Sequence, residues 1–305
     1  MFGYIGKRLA SAVPTLFLVI ALAFFMVHQA PGGPFDSERA VSPAIKARMD
    51  AAYGLDQPLF VQFGRYLNGL VRGDFGPSYR YPQNTVTELI SDGFPVSALL
   101  GALALVAGLL GGIGIGTLAA LRQNRWVDHA LMTLSMTGIS IPTFVIAPLF
   151  VLVFAVTLGW FPASGIRTPL HLVLPVLALS LPMVAYIARL MRASMLEVLK
   201  SQFIRTARSQ GLSSRTLLLR YAMKPAMIPV VSYLGPAIAG ILTGSVVVEQ
   251  VFNIPGCGRQ FVQAAVNRDY TLVMGLVVLY STLLIAMNLL VDVLYGWLDP
   301  RVRYS

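Results

Sequence analysis

The chain has 305 residues, of which 56% are hydrophobic and 12% charged, with a mean hydropathy of +0.71 and a formal net charge of +10. A soluble domain carries about 25% charged residues, so this composition excludes an ordinary soluble fold. The basic excess falls between apolar stretches, which favours cationic membrane loops over nucleic-acid binding, and the single cysteine, Cys257, excludes an internal disulfide framework and a cysteine metal cluster.

A helix needs about 20 mainly apolar residues to cross a hydrocarbon core about 30 Å thick. Six stretches meet that length: 9–29, 96–121, 131–158, 170–190, 227–248 and 272–294. Backbone polar groups in lipid must be satisfied internally, so these stretches are expected as helices. The short alternating segments of a barrel are not visible. The first stretch follows Lys7 and Arg8, as a signal peptide would, but its apolar run from Val13 to Val27 is long, ends in no A-x-A site and is followed by Pro31. An uncleaved helix is expected over residues 1–30.

Residues 31–95 mix six basic residues with seven acids and contain glycine, proline and aromatic residues. They read as a small external unit. Ser42 and Pro43 look like an N-cap and first helical residue, opening a short helix that ends near Gly54, and a second helix runs from Leu59 to Val71. The rest, 96–305, holds five further spans and a basic loop over 191–226.

In the second span Gly108, Gly112 and Gly116 recur every fourth residue. No strand precedes them and no lysine follows, so close helix packing is expected, not nucleotide binding. No G-x-x-x-x-G-K-[ST] pattern occurs anywhere in the chain. Prolines at 142, 148, 175, 182, 229 and 236 are expected to bend their helices. Asp292 is the one acid well inside a span, with Asn288 one turn before it on the same face. It reads as an intramembrane polar contact or as a proton-coupling carboxylate. His28, His129 and His171 lie in different segments and make no metal site by themselves.

Loop charge sets the orientation. Arg122 and Arg125 follow the second span; Arg189, Arg192, Lys200, Arg205, Arg208, Arg215, Arg220 and Lys224 surround the 191–226 loop; Arg301 and Arg303 lie at the C-terminus. The opposite short loops hold Arg167, Arg259 and Arg268. The positive-inside rule puts the basic loops and both termini in the cytoplasm. Within the large loop, Gly211 suits a left-handed helix C-terminus, Ser213 or Ser214 can cap the next helix, and Pro225 is expected to turn the chain back toward the membrane. A helix–turn–helix bracket results. A loop resting on anionic headgroups would explain its charge, but not the glycine and the caps.

That bracket resembles the coupling loop of binding-protein-dependent ABC import permeases, whose pattern is E-A-A-x3-G-x9-I-x-L-P. Ala207 and Gly211 match; Arg205 and Thr206 stand where Glu and Ala are usual, and Pro225 comes one residue late. The form Arg205-Thr206-Ala207-Arg208, followed after two residues by Gly211, is similar to the peptide/nickel branch. So are the runs Gly54–Pro58, Gly73–Tyr79, Glu249–Arg259, Asn267–Tyr270 and Val291–Arg301. The resemblance implies an all-α polytopic membrane protein of six helices with the type I ABC importer permease fold. It implies a second homologous permease subunit, two cytoplasmic ABC ATPases that bind the ATP and Mg, an external peptide-binding protein and a peptide substrate, in a membrane lipid setting. The chain itself would bind no cofactor or metal and perform no catalysis. By the same likeness Arg205, Thr206, Ala207, Arg208 and Gly211 would engage an ATPase, and Glu249, Pro255, Gly256, Gly258 and Arg259 would lie at the external gate or the docked binding protein. Nickel or another small solute is the alternative cargo, and an ion-coupled carrier using Asp292 the alternative mechanism.

Overall fold

The computed structural model describes residues 2–29 and 43–298. Pro31, Ser42, Arg301 and Arg303 lie outside them. The described chain is helical nearly throughout. In order come α1 (Phe2–Gln29), α2 (Pro43–Tyr53), α3 (Leu59–Val71), α4 (Val86–Leu121), α5 (Trp126–Ser140) and α6 (Thr143–Phe150), the last continuing as a π-helical stretch over Val151–Thr157. Then follow α7 (Leu170–Leu199), α8 (Gln202–Ser209), α9 (Ser214–Thr216), a second π-helical stretch over Leu217–Ala222, α10 (Met223–Ala226), α11 (Ile228–Ser232), α12 (Leu234–Val251), α13 (Cys257–Val266) and α14 (Tyr270–Leu298).

α4 begins ten residues before the expected span because Thr85 and Glu88 form a capping box: the Thr85 side chain accepts from the Glu88 N–H, and the Glu88 carboxylate accepts from the Thr85 N–H. The expected third span is not one rod. It breaks between α5 and α6 with a bend of 106°. Pro142 disfavours the helical conformation for the residue before it, and Ile141 is extended at φ −101°, ψ 121°. Pro175 and Pro182, by contrast, sit within an uninterrupted α7.

The glycine ladder decides the packing at the centre. Gly108 lies against Met183, Gly112 against Ile187, and Gly116 against Met191 and the Ala188 carbonyl. A Cβ on Gly112 would come within 2.5 Å of the Ile187 Cβ. Numbers rise together on the two helices, so α4 and α7 run parallel. The chain between them must therefore return across the bundle, and the bent α5–α6 pair does so.

Five single helices are long and apolar enough to cross a membrane, and the bent pair brings the number to six where it counts as one broken span. α1 and α14 run antiparallel: the His28 and Tyr270 rings lie 5.7 Å apart, tilted by 56°, and Arg8 pairs with Asp292 at 3.1 Å. Both ends of the described chain thus lie at one end of the bundle, the end that carries the basic loops.

Candidate functional sites at the two ends of the bundle

At the basic end α7 leads through Lys200 and Ser201 into α8. Ile204 and Ala207, three residues apart, are buried and pack toward the 217–222 stretch. Arg205, Thr206 and Arg208 are exposed. Gly211 follows at φ +82°, with its N–H donating to the Arg208 carbonyl at 3.0 Å. A side chain there would meet nothing within 4 Å, so only the backbone angle demands glycine. Ser213, not Ser214, caps the next helix, accepting from the Thr216 N–H at 3.3 Å.

Ala207, expected among the coupling residues, is buried in the bracket's own core, and Arg205, Thr206, Arg208 and Gly211 are exposed. One expectation needs correction. Pro225 does not turn the chain out of its helical path; it sits in α10, which continues directly from the π-helical stretch ending at Ala222. The path from Ser214 to Val251 is a chain of helical pieces with right-handed residues at Met227 and Tyr233.

The bracket is tied to the bundle by a pair that the sequence did not reveal. Asp128, 1% exposed, accepts two hydrogen bonds from the Arg192 guanidinium, each 2.6 Å long, and a third from the Asn124 N–H at 2.9 Å. The pair fixes the start of α5 to α7 about two turns before α7 ends. An acid in a helix's first turn was a visible signal, but its partner lies 64 residues away.

The opposite end is built inward. Glu249 is fully buried near the end of α12. One carboxylate oxygen accepts from the Ser97 hydroxyl of α4 at 2.8 Å, the other from the Arg259 N–H at 3.1 Å, at the start of α13. Gly256 and Gly258 are buried as well; a Cβ on Gly258 would lie 2.6 Å from the Val246 Cα. Glu249, Gly256 and Gly258 are therefore enclosed by the chain itself in this structure. Pro255 is exposed, and half-buried Arg259, whose guanidinium donates to the Asn253 carbonyl at 3.3 Å, lines with it a recess of about 310 Å³. Burial beside the Glu249 charge pushes the Cys257 thiol up to about 12.

A second buried acid was also unread. Asp269 caps α14, accepting from the Leu272 N–H at 3.2 Å, and also takes the Ser78 hydroxyl and the Tyr79 N–H. Thr271 donates to the Pro77 carbonyl at 2.7 Å. Two runs quoted for the resemblance, 73–79 and 267–270, thus meet. Burial, with Asp269 and Tyr53 nearby, pushes the Tyr79 phenol up to about 12.

Within the bundle, Asp292 is paired to Arg8 at 3.1 Å, and the Asn288 side chain lies against Gly235. The carboxylate read as solitary thus has a cationic partner at the basic end. Along α12 and the helix before it, Ser232, Pro236, Gly240, Thr243 and Gln250 are exposed; on α5 so are Thr133, Thr137 and Ser140. The Ser232 and Thr243 hydroxyls donate to carbonyls four residues back, at 3.1 and 3.0 Å. These strips are small and weakly polar where a lipid-facing surface would be greasy.

The family described as the binding-protein-dependent transport system inner membrane component matches residues 112–304, and the N-terminal unit of such membrane components matches residues 1–101. The chain belongs to this family. It is an inner-membrane, multi-pass permease. It is 50% identical, over the whole of both chains, to the oligopeptide transport system permease protein OppB of Haemophilus influenzae. It is 43% identical to the dipeptide transport system permease protein DppB of Bacillus subtilis, covering 99% of this chain and 98% of that one. Among solved structures, a chain of the MetNI methionine ABC transporter in an inward-facing conformation superposes with a TM-score of 0.60 at 16% identity, covering 69% of this chain and 96% of that chain. That likeness establishes a shared permease fold.

Proposed function

We propose that the chain forms one half of the membrane pathway of an ATP-driven peptide importer. The basic end faces the cytoplasm, and both termini lie there. A second permease subunit completes the pathway, two ATPases bind the ATP and Mg, and an external binding protein delivers the peptide. The chain itself holds no cofactor and makes or breaks no covalent bond. The peptide cargo rests on the names of the OppB and DppB relatives.

One observation carries the reading: the outward face of α8 and Gly211 sits in open space at the tip of a bracket whose inner face is already packed. A short helix presented this way transmits movement by docking in a groove of a partner that switches between two states. The small polar strips on α5 and α12 suit a wet, unselective pathway in which recognition is left to the binding protein. Uptake of a radiolabelled oligopeptide by the Gly211→Val variant tests the reading. The variant should insert and assemble normally but lose ATP-driven uptake, and wild-type uptake would count against it.

A further inference from the structure

We propose that α3 lies in the membrane plane, with its apolar edge in the acyl chains of the leaflet opposite the basic loops. The argument starts from depth. His28 and Tyr270 mark one end of the antiparallel α1–α14 pair, and Arg8 and Asp292 the other. Twenty residues of α1 separate those levels, about 30 Å at 1.5 Å per residue, the thickness of one hydrocarbon core. The Phe63 ring of α3 lies 5.1 Å from Phe24, 5.6 Å from Phe25 and 6.0 Å from Phe17. It belongs to the cluster around Ile20 and Phe24. Those residues stand about 6 to 12 Å below His28, inside the outer half of a core of that thickness. α3 therefore runs beside α1 at membrane depth, not above it.

The two faces of α3 agree with that position. Phe63, Leu67 and Leu70 pack against α1 and α14. On the edge of the same face Phe60 is 78% and Val71 89% exposed among the described residues. Phe60 meets Phe25 at 5.8 Å, and the exposed Phe17, Leu18, Leu22 and Met26 of α1 carry the apolar surface onward. The edge is thus continuous with the membrane-facing side of α1. Gln62, Arg65, Asn68 and Arg72 turn the other way, onto a cavity of about 390 Å³ that Phe24, Tyr53 and Tyr270 also line. An apolar edge in lipid with a cationic face toward water is the arrangement of an interfacial helix. Lipid is favoured over a protein cover by this continuity with α1.

Spin labels read the occupant directly. Phe60→Cys and Val71→Cys, made separately so that each checks the other's folding, are labelled in the whole transporter complex in lipid nanodiscs, with Asn68→Cys as the polar-face control; Cys257 is buried and stays in place. Labels at 60 and 71 should collide with oxygen and be shielded from a water-soluble nickel chelate, and the label at 68 should show the reverse. Nickel access at 60 and 71 would overturn the proposal by placing the edge in water. Shielding from both probes would overturn it by placing a protein partner there.

Discussion

The two ends of the bundle treat their polar groups in opposite ways. Opposite the basic loops, Glu249 and Asp269 are buried and spend their oxygens on neighbours in the same chain: Ser97 and the Arg259 N–H in one case, Ser78 and the Leu272 N–H in the other. At the basic end Arg205, Thr206, Arg208 and Gly211 stand clear of the chain, and only Ile204 and Ala207 turn inward. At the first end both acids find their partners within the chain. The second is complete in its backbone and unfinished at its surface. Substitutions at the buried acids, Glu249 and Asp269 at one end and Asp128 at the other, should therefore cost stability, and substitutions on the exposed face of α8 should cost coupling.

The sharpest break would come at Glu249. Replacing it with Ala strands the Ser97 hydroxyl and the Arg259 N–H in a buried site, at about 1–3 kcal/mol for each orphaned group, so a clear fall in melting temperature is expected in detergent. An unchanged melting temperature would mean that this end is not held as described. Asp128→Ala comes next. Breaking a buried ion pair costs about 3–5 kcal/mol, but the Arg192 side chain keeps 27% exposure, which places the loss at or below about 3 kcal/mol. The same variant should weaken ATP coupling, because it frees α7 just before α8. Asp269→Ala removes a helix N-cap and should cost about 1–2 kcal/mol, read by the same thermal scan. Arg208→Ala should fall within about 0.5 kcal/mol of the parent while impairing uptake. A comparable loss of stability there would erase the contrast between the ends.

Cys257 gives a pH test of the closed end. Its thiol is raised from 9.0 to about 12. A raised folded value means that the stability from the neutral thiol is full below pH 9 and is lost as pH climbs from 9.0 toward about 12. A maleimide at pH 8 should label it slowly in the folded protein and rapidly after denaturation. Fast labelling in the folded state would show that this end opens readily.

Local signals were legible in the sequence. The bounds of α3, the left-handed Gly211 and the close packing of Gly108, Gly112 and Gly116 all follow from nearby residues. The capping box at Thr85 and Glu88 was equally local, yet the apolar run that begins at Val96 hid it. What escaped depends on distance along the chain. No local rule pairs Asp128 with Arg192 or Asp269 with Ser78, and none tells that Ala207 faces inward, since that depends on where the 217–222 stretch folds back. The bend at Pro142 was expected as a kink; its size depends on how α5 and α6 pack.

The central claim is that the outer face of α8 docks on a partner nucleotide hydrolase while its inner face does not. Photo-crosslinking from Thr206→Cys and, separately, Ala207→Cys in native membranes tests it most directly. The account predicts capture of a nucleotide hydrolase from position 206 and little or none from 207. No capture from either position, or equal capture from both, would contradict it.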